Sequence, residues 1–133
     1  SRQDDLEAYA SEFARGLCPG DAIGLSGPLG SGKTTFVRAV VRALHGDDPT
    51  SSPTFTFRHR YDGTPPIEHL DLYRIESAAE LPELGLEEAF DGRSVVLVER
   101  WENASQLLPA RRFELRFAGA GDQPRVLDVR EPA

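Results

Sequence analysis

Lysine is almost missing from this chain. Its 15 basic residues are 14 arginines and a single lysine, Lys33. Cysteine is reduced to Cys18, which excludes a disulfide within the chain and favours a reducing compartment. No apolar run approaches the roughly 20 residues of a membrane span, and no basic region followed by an apolar stretch opens the chain. A soluble, cytoplasmic protein is expected. A basic stripe is missing too. The formal net charge is -7, with the acids distributed, and the densest basic groups are Arg58-His59-Arg60 and Arg111-Arg112 with Arg116. Gripping a nucleic-acid backbone requires a basic surface that displaces counterions, so direct RNA binding is disfavoured. The chain has no Cys/His spacing of a zinc site and no serine elbow.

The one lysine stands in Gly27-Pro28-Leu29-Gly30-Ser31-Gly32-Lys33-Thr34, a full match to the phosphate-binding pattern G-x-x-x-x-G-K-[ST]. At ordinary residue frequencies a chain of this length would match by accident roughly once in two hundred sequences. Context strengthens the match. Asp21 to Ser26 is a short apolar run suited to a buried strand, and Thr35 to Leu44 has apolar residues at helical spacing. Glycines at 27, 30 and 32 allow a sharp turn with inward N-H groups, and the following helix adds its positive end. The expected phosphate-binding set is Gly27, Leu29, Gly30, Ser31, Gly32, Lys33, Thr34 and Thr35. An ammonium on a flexible stem can lie along the β- and γ-phosphates of ATP, whereas a planar guanidinium prefers forked pairing.

Residues 1–133 read as one domain. A helix is expected over 4–17, closed by Pro19-Gly20. A turn-rich loop follows from Gly46 to Pro53, and Phe55, Phe57 and Tyr61 then alternate in strand fashion. A turn at 62–66 leads to a strand from Ile67 to Leu72, and helical pieces are expected over 78–90. Ser94 to Val98 is the most strand-like run, and 112–118 with 125–129 form a closing hairpin. Too few crossover helices fit for a purely alternating fold. The expected class is α/β: a single P-loop NTPase-like domain whose mixed, largely central sheet is flanked by helices.

A P-loop works with Mg2+ and an acid at the end of a buried strand. Two acids compete. Glu99 follows the apolar run Val95 to Val98, and Asp71 follows the less apolar Ile67-Glu68-His69-Leu70. Strand character favours Glu99 as the metal-side residue, through water, with Thr34 giving its hydroxyl directly. Asp71 then positions water or supports the site from behind. Thr54, on a Pro-flanked loop, could sense the γ-phosphate, although an ordinary turn threonine is the commoner case. His69 could act as a base, but a packed or hydrogen-bonded strand histidine is the more frequent situation.

Taken together, Gly27 to Val37, Ser52-Pro53-Thr54-Phe55-Thr56, His69-Leu70-Asp71-Leu72-Tyr73-Arg74, Glu80-Leu81 with Leu84-Gly85-Leu86-Glu87-Glu88, and Val98-Glu99 resemble the TsaE (YjeE-type) family. The most specific piece is the pairing of S-P-T-[FY]-T with H-x-D-L-Y-R. The resemblance implies a small ATPase of bacterial tRNA threonylcarbamoyladenosine biosynthesis. It would act on the TsaB-TsaD complex, with weak hydrolysis alone and contact with tRNA only through partners. It implies that Lys33 and Thr34 hold phosphate and Mg2+, that Glu99 lies on the metal side, that Asp71 supports hydrolysis, and that Thr54 lies in a switch-like loop. One departure matters locally. The family commonly places tryptophan directly after the glutamate, whereas Arg100 separates Glu99 from Trp101, which leaves Glu102 as a competing acid.

Other P-loop functions remain on the table. A small-molecule kinase would need an acceptor pocket and an arginine-bearing lid, for which Arg111, Arg112 and Arg116 are the available residues. A GTPase would need an N-K-x-D segment, which the chain lacks. A nucleotide-dependent binding module without turnover is the third class.

Overall fold

The P-loop motif joins a buried strand to a helix in the computed structural model, which describes residues 2–28, 31–46, 52–55, 58–72, 85–118 and 125–132. Helix α1 (Arg2–Arg15) leads into β1 (Ala22–Ser26), the loop, and α2 (Lys33–His45). Strands β2 (Ser52–Phe55), β3 (Arg58–Tyr61), β4 (Ile67–Asp71) and β5 (Val95–Glu99) follow. The chain closes with β6 (Phe113–Ala118) and β7 (Arg125–Arg130). Short 3-10 helices cover Leu86–Ala89 and Trp101–Leu107.

The seven described strands belong to one sheet, in the order β2-β3-β4-β5-β1-β6-β7. The four central strands, β4-β5-β1-β6, are parallel, and antiparallel partners extend each side. Composition explains the division. Parallel strands are covered on both faces and read as continuous apolar runs, and every residue of Val95–Glu99 is buried. The outer strands are more polar, as Arg58-His59-Arg60 in β3 and Arg125, Asp128 and Arg130 in β7 show.

Pleating sends alternate residues to two cores. Ile23, Leu25, Leu97, Leu115 and Phe117 face α1 and α2 and meet Leu6, Ala10, Ala14, Phe36, Val37 and Val40. Val96, Val98, Leu70 and Leu72 face the other side, where Leu86, Ala89, Ala104 and Leu108 from the 3-10 segments cover them. Both described α-helices therefore share one face. An aromatic cluster fixes the P-loop helix there: Phe36 lies 5.4 Å from Phe117 and 5.6 Å from Phe13, and Phe13 lies 5.1 Å from Phe113. Each such pair contributes about 1 kcal/mol beyond its buried area. At its far end α2 stops at Gly46, left-handed at φ 85°, whose N-H donates to the Arg42 carbonyl at 2.8 Å.

Several sequence expectations need correction. The single strand anticipated through Phe55 to Tyr61 is two antiparallel strands, β2 and β3, with 56–57 outside the described residues. The loop anticipated through Pro53 already belongs to β2. Proline gives no N-H to a ladder and is tolerated on edge strands, and β2 is an edge. Of the helical pieces expected over 78–90, only 85–90 is described, where a 3-10 turn spans Leu86–Ala89. The 3-10 segment at Trp101–Leu107, kinked at Ala104 (φ -141°, ψ 36°), was not anticipated; its apolar residues Trp101, Ala104 and Leu107 recur every three positions, over a run too short to stand out. Among the described residues no helix is long and apolar enough to cross a membrane.

Candidate nucleotide-binding site

Three parallel strands bring their carboxyl ends together where the P-loop begins. In the register of the sheet Leu25 of β1 pairs with Glu99 of β5, and Glu99 pairs with Asp71 of β4. Such ends are where open α/β sheets place ligands. Because side chains alternate, His69, Asp71 and Glu99 all emerge on the α2 face, the face of Ile67 and Leu97.

The loop's geometry demands glycine at two described positions. Gly27 has φ 138°, and a Cβ there would stand 2.6 Å from the Phe117 carbonyl oxygen. Gly32 has φ 104° and caps α2 in the left-handed region without any side-chain cap. The first N-H groups of α2 therefore lack intrahelical partners and form the positive end of the helix. Ser31 is fully buried, and its Oγ has no hydrogen-bond partner among the described residues. Lys33 is 4% exposed, and its Nζ donates to the Gly27 carbonyl at 2.5 Å. The ammonium is thus held inside the loop rather than in solvent. Thr34 is exposed and Thr35 half-buried at the helix start, while Leu29 and Gly30 lie outside the described residues.

Across from Lys33, Glu99 is 6% exposed, and its Oε2 lies 2.5 Å from His69 Nε2. Burial pushes its carboxyl pKa up. The hydrogen bond from His69, with the charges of His69, Lys33 and Arg100, outweighs burial and leaves the pKa below the ordinary glutamate value. Glu99 is accordingly an anion at neutral pH. Asp71 stands half-buried one strand further out, and Leu72 N-H donates to the Glu99 carbonyl at 3.1 Å. The competing acid, Glu102, is exposed in the turn after β5. Arg100 takes up the extra residue by adopting φ 56°, ψ 45°. This turns Trp101 onto the opposite face of β1, where its indole fills the space that a side chain at Gly24 would occupy. The Arg112 guanidinium lies 4.8 Å from the centre of that ring.

Thr54 is not on a loop. It lies within β2, where the register shifts between Pro53 and Phe55, and four strand spacings, roughly 19 Å, separate β2 from β1. Of the arginines considered for a lid, Arg116 lies within β6, Arg112 donates to Glu114 at 3.0 Å, and Arg111 is exposed just before β6.

The residues present fit a nucleoside triphosphate with Mg2+: a turn that excludes a Cβ, an orphaned buried hydroxyl, a buried ammonium and a helix start for phosphate, and an ionised carboxylate beside them. No group of three or more His, Cys, Asp or Glu among the described residues forms a metal cage. An ion here would draw most of its ligands from phosphate and water, as Mg2+ does in P-loop sites.

A family model described as "Threonylcarbamoyl adenosine biosynthesis protein TsaE" matches residues 1–127. The chain belongs to the TsaE family. A Bacillus subtilis protein named tRNA threonylcarbamoyladenosine biosynthesis protein TsaE is 39% identical over 125 residues, covering 93% of this chain and 78% of that one. The Rickettsia bellii protein of the same name is 36% identical, covering 96% and 89%. A crystal structure of Bacillus subtilis YdiB superposes with a TM-score of 0.71 at 35% identity, over 91% of this chain and 74% of that one. The TsaE match spans the loop, β4 and β5 together, so the three converging strand ends fall within the family's common region.

Of the residues expected from the sequence, Asp71 and Glu99 end β4 and β5, Lys33 and Thr34 open α2, and Thr54 lies in the edge strand β2. His69 was not favoured as a base, and neither Arg58 nor Arg60 was paired with Glu68. Residue types were visible in both cases, but which strand lies beside which was not.

Proposed function

We propose that this chain is an ATP-binding and weakly ATP-hydrolysing protein that supports tRNA threonylcarbamoyladenosine modification by acting on a TsaB-TsaD complex. The observation that carries the ATPase part is that the P-loop, running from the end of β1 to Lys33 at the start of α2, lies beside the strand ends that carry Asp71 and Glu99. The pathway and the partner come from membership in the TsaE family and from the names of its relatives.

The chain's own groups divide the work. The α2 start, the loop N-H groups and Lys33 bind the phosphates, with the lysine leaving the Gly27 carbonyl to do so. Thr34 would supply a hydroxyl to Mg2+, and the ion, when bound, would neutralise phosphate charge. Glu99, ionised and held by His69, orients water on the metal side. Asp71, one strand away, positions the attacking water. Oriented groups of this kind lower a phosphoryl-transfer barrier chiefly by positioning and electrostatics. Buried strands hold the carboxylates, so slow turnover alone and faster turnover with a partner would reflect completion of the site from outside.

The test is steady-state ADP release from Mg2+-ATP, with and without TsaB-TsaD. Lys33→Ala should lower kcat/KM by at least about 100-fold, and Lys33→Arg should behave similarly. Stimulation by the partner supports the proposal. Phosphate transfer to a metabolite with no response to TsaB-TsaD would replace it with the kinase reading, and bound ATP with no ADP under any condition would leave a binding module.

A further inference from the structure

We propose that His69 is a positioning residue for hydrolysis: its Nε2-H, donated to Oε2 of Glu99, fixes the orientation of that carboxylate and leaves Oε1 for the metal-side water. The inference rests on the reading of Glu99 as the metal-side acid and extends it to a residue on a different strand.

The register makes the contact unusual. The residue opposite His69 on β5 is Leu97, while Glu99 is opposite Asp71. The imidazole therefore reaches diagonally along the sheet, past its own partner, to a carboxylate two residues on. The contact measures 2.5 Å, and the two side chains are only 12% and 8% exposed. A carboxylate so far removed from water needs a hydrogen-bond donor at hand. Lys33 is engaged with the Gly27 carbonyl, and the Arg100 and Lys33 charges act on Glu99 without a hydrogen bond to it. His69 is the near donor.

The imidazole is itself held. His59 of β3 lies directly opposite His69 in the antiparallel register, and the two rings lie 6.2 Å apart at an interplanar angle of 30°. With one ring packed beside it and a carboxylate at its Nε2, His69 has little freedom to turn. An ionised carboxylate only accepts, so the proton on this contact belongs to Nε2. One oxygen of Glu99 is thereby occupied, and the whole group is restricted to one rotation. Partners that orient a metal-side ligand in this way are worth about 10–100-fold in affinity or rate. His69 touches neither the phosphates nor the expected water, and its role is exerted through Glu99.

The experiment compares His69→Ala, His69→Gln and Glu99→Gln in the full chain with three readouts: Mn2+ affinity in the presence of ADP by electron paramagnetic resonance, kcat and KM for ATP with TsaB-TsaD, and Tm. The Gln side chain places an amide N-H near the position of Nε2. His69→Ala should weaken Mn2+ binding and lower kcat by about 10-fold or more while KM for ATP stays within about twofold. His69→Gln should restore most of both. Wild-type Mn2+ affinity and kcat in His69→Ala, or equal losses in the Ala and Gln variants that follow a fall in Tm, would overturn the proposal. Glu99→Gln separates the two readings. If it leaves Mn2+ affinity and turnover intact, the metal-side assignment of Glu99 fails. If it abolishes them while His69→Ala does nothing, only the positioning role fails.

Discussion

Burial alone would make the Glu99 carboxyl hold its proton more tightly, yet its neighbours reverse the sign. The folded-state pKa lies below that of the unfolded chain, so ionised Glu99 stabilises the fold at pH values above the ordinary glutamate range. That contribution disappears as pH falls through the depressed value. Thermal unfolding should show the consequence: the Tm gap between wild type and Glu99→Gln narrows on going from neutral to acid pH. A gap independent of pH would mean that Glu99 is not held ionised by its surroundings. One residue further, Arg100 is the only non-glycine residue with positive φ among the described residues. A side chain costs about 1 kcal/mol in the left-handed region. Arg100→Gly should raise Tm by roughly 3 °C if the backbone conformation dominates, whereas a fall in Tm would show that the arginine side chain contributes more than its backbone costs.

At the scale of elements, β3 and β4 are joined on the face away from the P-loop helix by a buried ion network. Glu68, fully buried, accepts from Arg58 Nε and Nη2 at 2.9 Å each and from Arg60 Nη1 at 3.0 Å. Arg58 Nη1 also donates to Glu88 at 2.7 Å, tying the Leu86–Ala89 turn to the sheet. Removing one member of a buried pair strands the other charge. Glu68→Gln should therefore cost about 3 kcal/mol in urea unfolding. Glu88 has a side chain 73% exposed, and Glu88→Gln should cost less than about 1 kcal/mol. Equal costs would show that burial does not set the value of these contacts.

Element by element, legibility followed the strength of the local signal. The segment β1-loop-α2 and strand β5 were plain in the sequence because an apolar run, glycines and a helical period each point the same way. The break between β2 and β3 was hidden by continuous alternation from Phe55 to Tyr61. The turn at Trp101–Leu107 carried only a short three-residue recurrence, Trp101, Ala104 and Leu107. The contacts of Glu68 and of His69 depend on register, with His69 and Glu99 30 positions apart, and register is settled by the assembled sheet rather than by any local stretch.

The whole molecule carries a formal net charge of -7, opposite in sign to what a polyanion would attract. Binding of tRNA through its phosphates would release counterions and strengthen steeply at low salt. The isolated chain should show no retention of tRNA in a gel-shift assay at about 150 mM salt and no salt-steep gain at about 50 mM; strong binding at either would reveal a basic surface that the total conceals. The sheet that unites the chain also sets the limit of the site. Glu99 and Asp71 end two neighbouring strands, β5 and β4, and Lys33 opens the helix that follows the third, β1, while Thr54 belongs to the edge strand. The composition of the sequence could name all four but could not measure the distance between them.

A single lysine within the phosphate loop gives the molecule an unusual chemical address. In these 133 residues the only side-chain amine is the one bonded to the Gly27 carbonyl. Reagents that acylate or thiocarbamylate amines would meet one lysine, and that one buried, so apart from the α-amino group the chain offers amine-directed cross-linkers no easy hold on a docked partner. Slowed by burial, the same reagents would label a single lysine, and the rate at which they label Lys33 would become a direct gauge of whether the loop is filled.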